Sequence, residues 1–135
     1  MIVVDTSALV AILNHEPERQ AFLTIIMANE VVTPCTCVLE TAMVLNRLLP
    51  TLTFQRQDDF LAICLIGVAA ITPELGRSAR DAFSVYGRGQ HPAGLNFGDC
   101  FAYALAMQLD APLLFKGNDF SKTDVRIAAL EGHGP

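Results

Sequence analysis

Four carboxylates in this chain occupy positions where burial would be costly. Asp5 ends the β-branched run Ile2-Val3-Val4, and Glu40 interrupts the apolar stretch Val38-Leu39-Glu40-Thr41-Ala42-Met43. Asp99 opens Asp99-Cys100-Phe101-Ala102, and Asp119 follows Leu113-Leu114-Phe115 within Lys116-Gly117-Asn118-Asp119-Phe120. An unpaired anion among apolar neighbours costs several kcal/mol unless a proton, a basic side chain or a metal neutralises it. The chain has nine Lys and Arg in 135 residues, and none adjoins Asp5, Glu40 or Asp99. Oxygen donors without His or Cys suit a hard cation, Mg²⁺ or Mn²⁺, better than zinc. Such a cation can hold a phosphate and activate water for in-line attack.

Each acid also has an ordinary alternative. Asp5 reads equally as a turn or cap acceptor, Asp99 as a first-turn acid favoured by the helix dipole, and Glu40 as a solvated helix residue. Asp119 fits a Gly-Asn-Asp turn. Of the remaining acids, Glu16, Glu18, Asp58, Asp59, Asp81, Asp110 and Glu131 lie among polar or terminal residues and read as solvated surface.

The elements that must position the four are short apolar strands alternating with longer helices. Ile2-Val3-Val4 predicts a strand, and Thr6-Ser7 supply cap hydroxyls for a helix over Ala8 to Leu13. Pro17 suits the first turn of a second helix presenting Phe22, Leu23, Ile26 and Met27 on one face and ending near Asn29. Val31-Val32-Thr33 is a second strand. A third helix from Thr36 carries Val38, Leu39, Ala42, Met43, Leu45 and Leu49 at helical spacing and stops at Pro50; Thr53 caps a fourth through Phe54, Phe60, Leu61 and Leu65. Ala69-Ala70-Ile71 is a weak third strand, and Pro73 opens a helix to about Tyr86. After the loop Gly87 to Gly94, an apolar helix runs from Asp99 to about Leu109. Pro112-Leu113-Leu114-Phe115 is a fourth strand, and Val125-Arg126-Ile127 a further candidate in an otherwise irregular end. This alternation predicts a mostly parallel α/β sheet covered on both faces, with ligands at the carboxyl ends of its strands.

Composition is consistent with one domain over residues 1–135: 52% of residues are hydrophobic, 17% are charged, and no repeat or long linker appears. The longest apolar run, Phe60 to Ile71, has 12 residues, short of the roughly 18 needed to cross a bilayer, and reads as a buried helix. The start Met1-Ile2-Val3-Val4-Asp5 lacks a basic leader, which places the protein in the cytoplasm with no membrane span. Cys35, Cys37, Cys64 and Cys100 lack zinc-site spacing and read as buried small hydrophobes. His15, His91 and His133 are scattered, as surface residues are. A net charge of −5 lacks the basic footprint of a nucleic-acid binder, yet bound cations would invert the local sign.

Asp5-Thr6-Ser7-Ala8-Leu9, Glu40 on the third helix, Gly98-Asp99-Cys100 and the segment Leu113 to Phe120 come in the order and at the approximate separations found in PIN domains. The set resembles a VapC-type toxin ribonuclease from residue 2 to about 127. The resemblance implies a three-layer α/β/α domain with a mostly parallel four- or five-stranded sheet. It implies that Asp5 and Asp99 hold Mg²⁺ or Mn²⁺, that Glu40 joins them directly or through water, and that Asp119 adds a ligand or orients water. Thr6 and Ser7 match hydroxyl positions that bond a carboxylate or water, and Asn96 and Asn118 would support the acids. Water activated by the cation would attack phosphorus, leaving 5′-phosphate and 3′-hydroxyl ends. The family also implies a VapB-type antitoxin, whose Arg could pair bidentately with the acids, and a homodimer.

RNA must approach an acidic protein, so basic residues local to the cleft are expected among Arg77, Arg80, Arg88, Lys116 and Lys122, with affinity falling as salt rises. Two rival readings remain open on sequence: a catalytically silent scaffold of the same fold that binds RNA or regulates, and a receiver-type signalling domain. The latter normally has an acidic pair after the first strand and a phosphoacceptor Asp after the third, and Asp5 stands alone while Ile71-Thr72-Pro73-Glu74 has no Asp.

Overall fold

The computed structural model describes residues 1–129; Glu131 and His133 lie outside that range. Four strands, β1 (Ile2–Val4), β2 (Val31–Pro34), β3 (Ile66–Ala69) and β4 (Leu113–Leu114), form one sheet in the order β3-β2-β1-β4. All three pairings are parallel. The six helices are α1 (Thr6–Leu13), α2 (Arg19–Met27), α3 (Cys35–Leu48), α4 (Phe54–Ile63), α5 (Pro73–Tyr86) and α6 (Phe97–Gln108).

Strand alternation divides the interior into two cores, one on each face of the sheet. Val3 and Leu113 point to the face covered by α5 and α6, packing with Leu75, Ala79, Ala82, Ala102 and Leu105. Their neighbours Ile2, Val4 and Leu114 point the other way, against Leu9, Ile12, Ile25, Ile26 and Leu61 of α1, α2 and α4. This is the expected three-layer α/β/α arrangement with four parallel strands. The small residues of α6, Ala102, Ala104 and Ala106, let that helix lie close against the sheet and α5. Among the described residues no helix is long and apolar enough to cross a membrane.

The chain runs outward from β1 to β2 and β3, then returns to the opposite side of β1 with β4. Strand order therefore reverses between β1 and β4, the place where open α/β sheets bind ligands at their carboxyl ends.

Several local expectations need correction. Helix α1 starts at Thr6, and its cap is Asp5 itself rather than Thr6 or Ser7. Met27 faces solvent. On α3 the buried residues are Cys37, Thr41 and Leu45, spaced four apart, whereas Leu39 and Met43, expected on the buried stripe, are 64% and 61% exposed; the inward face carries the smaller side chains. The run Phe60 to Ile71 is not one helix. Helix α4 ends at Ile63, Leu65 turns the chain with φ +55°, and β3 begins at Ile66 and ends at Ala69, before Ala70 and Ile71. Val125-Arg126-Ile127 contributes one bridge, Ile127 to Leu113, after a short 3-10 turn at Phe120–Lys122. Of the four cysteines, all unpaired, Cys37 and Cys100 are buried, Cys64 is half-buried and Cys35 is exposed.

Candidate active site

Asp5 is built into the sheet before it does anything else. Its N–H donates to the Leu114 carbonyl of β4 at 3.0 Å, and Thr33 on β2 donates its hydroxyl to the Val4 carbonyl at 2.8 Å. The carboxylate, 2% exposed, turns back to cap α1, accepting from the Ser7 N–H at 3.0 Å and the Ser7 hydroxyl at 2.8 Å on the same Oδ2. Ser7 in turn accepts from the Lys116 N–H at 2.9 Å, which ties the loop after β4 to the start of α1. The ordinary reading of Asp5 as a cap acceptor is thus correct, and it leaves Oδ1 outside the cap. That oxygen accepts from the Cys37 thiol at 4.0 Å. Thr6, also buried, has no hydrogen-bond partner for its hydroxyl among the described residues.

Helix α3 brings Glu40 one turn above Cys37. One ligand atom each from Asp5, Cys37 and Glu40 lie within 4.8 Å of one another. The Glu40 carboxylate rests against the backbone of Gly98, so close that a Cβ there would stand 2.3 Å from Oε1. Next to that glycine is Asp99. Asn96 caps α6 by accepting from the Asp99 N–H at 2.9 Å, and Asp99 returns the bond through Oδ2 to the Asn96 N–H at 3.0 Å. This reciprocal box fixes both residues with two otherwise unpaired donors satisfied. Asp99 is therefore also a first-turn helix acid, as its ordinary reading holds.

Burial and mutual repulsion dominate the electrostatics. Burial raises the carboxyl of Asp5, aided by the Glu40 charge and opposed by the Ser7 donors. Burial raises Asp99 from its ordinary 3.8 to about 7, with the charges of Asp5, Glu40 and Asp119 pushing the same way. Asp119 is exposed in the turn after β4 and is the weakest of the three charges felt by Asp99; neither Asp99 nor Asp119 belongs to the 4.8 Å group of Asp5, Cys37 and Glu40. The Cys37 thiol is pushed to about 12 by burial and then by Asp5, so it stays a neutral thiol beside the carboxylates. In the sequence Cys37 reads as a small hydrophobe, and Gly98 stands within Gly98-Asp99-Cys100 with no role of its own; neither residue type carries a signal without its spatial neighbour.

The other sequence-derived positions are more dispersed. Asn118 is exposed, and its backbone carbonyl accepts from Ser121. Lys116 does not project freely, since its ammonium pairs with Glu16 at 2.6 Å and Glu18 at 3.3 Å. Those two acids are consequently partnered groups rather than plain solvated surface. Arg77 and Arg80 on α5, Arg88 just after it, and Lys122 are exposed and make no ion pair among the described residues. His15 is exposed, while His91 is half-buried, accepting from the Ala93 N–H and meeting the Tyr86 ring edge-on.

The Asp99 shift has a measurable consequence. Between the ordinary carboxyl pKa of 3.8 and about 7 the folded chain holds a proton that the unfolded chain has released. Stability therefore falls as pH rises through this window, and the deficit persists above it. A cation binds the ionised carboxylate and so restores most where the proton is gone. Thermal melts at about pH 5.5 and about pH 8 should show a larger Mn²⁺-induced rise in Tm at the higher pH, and Asp99→Asn should flatten the chelator-treated profile between them. An equal Mn²⁺ effect at both values would contradict this.

The PIN domain family model matches residues 2–126. Ribonuclease VapC30 of Mycobacterium tuberculosis is 40% identical over 130 residues, spanning 96% of this chain and 99% of that protein. Ribonuclease VapC of Mycolicibacterium smegmatis is 42% identical over 125 residues, 92% of this chain and 97% of its own. Among solved structures, Mycobacterium tuberculosis VapC20, described as a sarcin-ricin loop cleaving toxin, shares the fold with a TM-score of 0.75 at 20% identity, covering 96% of this chain and 100% of that one. A toxin-antitoxin complex from Klebsiella pneumoniae gives 0.67 at 14% identity over 92% and 93%. With the family model matching residues 2–126 and relatives of 40% and 42% identity aligned over nearly the whole chain, the chain belongs to the PIN domain family.

Proposed function

We propose that this protein is a divalent-cation-dependent endoribonuclease, the toxin of a toxin-antitoxin pair, with Asp5, Glu40, Asp99 and Asp119 as its catalytic acids. The observation that carries the reading is the approach of Asp5 and Glu40 to within 4.8 Å, with the Glu40 carboxylate against the backbone of Gly98 beside Asp99, whose own carboxyl is raised to about 7 by burial first and then by neighbouring charges. Such a nest is unstable by itself and is relieved by a cation. The donor set fits a hard ion: the carboxylates offer only oxygen, and the neutral Cys37 thiol is a poor ligand beside them. Mg²⁺ or Mn²⁺ would be held by Asp5 and Asp99, with Glu40 directly or through water.

When bound, the cation supplies charge to offset the phosphoryl oxygens and to acidify water. The chain supplies the rest. Ser7 fixes Oδ2 of Asp5, which leaves Oδ1, beside the Cys37 thiol, as the oxygen to meet a cation. Asn96 locks Asp99 at the first turn of α6. Asp119, exposed at the mouth, orients the attacking water and takes its proton, while the 3′-oxygen leaves and the phosphate stays on the 5′ side. The relatives' names, ribonuclease and VapC, support RNA as the substrate and a VapB-type antitoxin as the inhibitor. A second copy of the chain is part of the same reading, with cytoplasm as its setting.

Purified chain incubated with RNA should produce 5′-phosphate ends in Mg²⁺ or Mn²⁺ and none in chelator. RNA binding without cleavage under every divalent ion would instead establish the silent scaffold.

A further inference from the structure

Lys116 precedes Asp119 in the loop after β4, and it is held at both ends. Its N–H donates to the Ser7 hydroxyl at 2.9 Å, and that hydroxyl donates to Oδ2 of Asp5 at 2.8 Å, all at the first turn of α1. Its ammonium meets the loop that follows the last turn of the same helix, donating to Oε1 of Glu16 at 2.6 Å with Glu18 at 3.3 Å. The side chain therefore runs along α1. The receiving acids are themselves fixed. Oε2 of Glu16 accepts from the Asn14 side-chain amide at 2.9 Å, and the Glu16 N–H donates to the Ala11 carbonyl at 2.8 Å. Oε1 of Glu18 is buried, and its ion-pair partner among the described residues is Lys116. A buried carboxylate oxygen demands a counter-charge, so the ammonium is committed to this place. Two carboxylates around one ammonium also leave the spot net negative, the wrong sign for a phosphate.

Asp119 has need of such support. Its side chain makes no hydrogen bond to the 3-10 turn that follows it. Gly117, between it and Lys116, has φ +103° and open space where a Cβ would stand, which gives the loop a pivot. We propose that Lys116 is a positioning residue: clamped between Ser7 and the two acids Glu16 and Glu18, it fixes the loop after β4 so that Asp119 keeps its place relative to Asp5. The inference rests on the ribonuclease reading and gives Lys116 a part in it other than contact with RNA. One clamp serves two catalytic acids, because the residue that steadies the Asp119 loop also bonds the hydroxyl that holds Asp5. Ion pairs at a surface contribute little to stability, so the clamp acts on geometry rather than on the fold.

Lys116→Met keeps the length of the side chain and removes its charge. With a short fluorescent single-stranded RNA, its kcat in Mn²⁺ should fall roughly tenfold with KM unchanged, and its anisotropy Kd in Ca²⁺ should stay parental. Lys116→Arg should recover most of kcat, since a guanidinium can still pair with both acids. The double variant Glu16→Gln with Glu18→Gln should reproduce the loss, and adding Lys116→Met to it should cost nothing further. Amide hydrogen exchange across the loop from Phe115 to Asp119 should quicken in Lys116→Met, a readout that needs no cleavage. Parental kcat in Lys116→Met would overturn the positioning role and leave the nuclease standing. A raised Kd with kcat intact would overturn it as well, by making Lys116 a phosphate contact. Faster exchange in a chain that cuts nothing under any divalent ion would uphold the clamp and overturn the nuclease.

Discussion

Replacing Asp5 or Asp99 with Asn should lower RNA cleavage by about a thousandfold or more without unfolding the protein. Removing a ligand forfeits several kcal/mol of charge stabilisation at the phosphoryl group, and about 1.4 kcal/mol corresponds to each tenfold in rate. The folded state has no reason to resist the change. Asn is as good a helix cap as Asp, so Asn at position 5 still accepts from the Ser7 N–H and hydroxyl, and its size is unchanged. It also removes a buried charge that burial and Glu40 already disfavour. The chelator-treated Asp5→Asn chain should therefore melt at or above the parental temperature, and its Mn²⁺-induced rise in Tm should shrink sharply. That pairing of results separates a ligand from a structural residue: a merely structural Asp5 would lose stability and activity together. An Asn variant cleaving at the parental rate would remove Asp5 from the site.

How far the sequence alone reached follows from the same residues. Asp5 and Asp99 were visible because a carboxylate beside β-branched or apolar neighbours demands a partner, and the demand can be read without coordinates. Their capping roles were visible too, as alternatives; the structure makes cap and cluster two uses of one side chain, one oxygen each in the case of Asp5. Strand and helix order was legible from apolar alternation and from Pro17, Pro50, Thr53 and Pro73. The inward face of α3 was not. Cys37 and Thr41 are small and only mildly apolar, while the larger Leu39 and Met43 face outward, so hydrophobic size pointed to the wrong side. The run Phe60 to Ile71 misled for a related reason: a buried helix end and a buried strand are both apolar, and the turn between them is made by Leu65 at positive φ, with no glycine or proline at that turn to mark it. Lys116 was legible as a basic residue but not as one already paired, because Glu16 and Glu18 lie about a hundred positions away.

Gly98→Ala should reduce cleavage by roughly ten- to a hundredfold while leaving the fold as stable as before. Gly98 has no positive φ to protect, and Ala is a better helix former by up to about 1 kcal/mol, so backbone conformation gives no reason for a glycine here. The reason is space. An added Cβ would meet Oε1, Oε2 and Cδ of Glu40 at 2.3, 2.5 and 2.6 Å, and an approach that short forces something to move. The atoms in the way belong to the end of a flexible side chain, so Glu40 swings aside at little cost in stability. Its carboxylate then leaves the 4.8 Å cluster with Asp5, and a displacement of about 1 Å in a catalytic group can cost about a hundredfold. Two observations test the cause. Melting temperature should stay level or rise, which excludes general damage. In a Glu40→Ala background the second change at position 98 should cost nothing further, because neighbours acting through one shared contact are not additive. A loss of activity that persists undiminished without the Glu40 carboxylate would show that Gly98 serves the site by another route, through the start of α6 and Asp99.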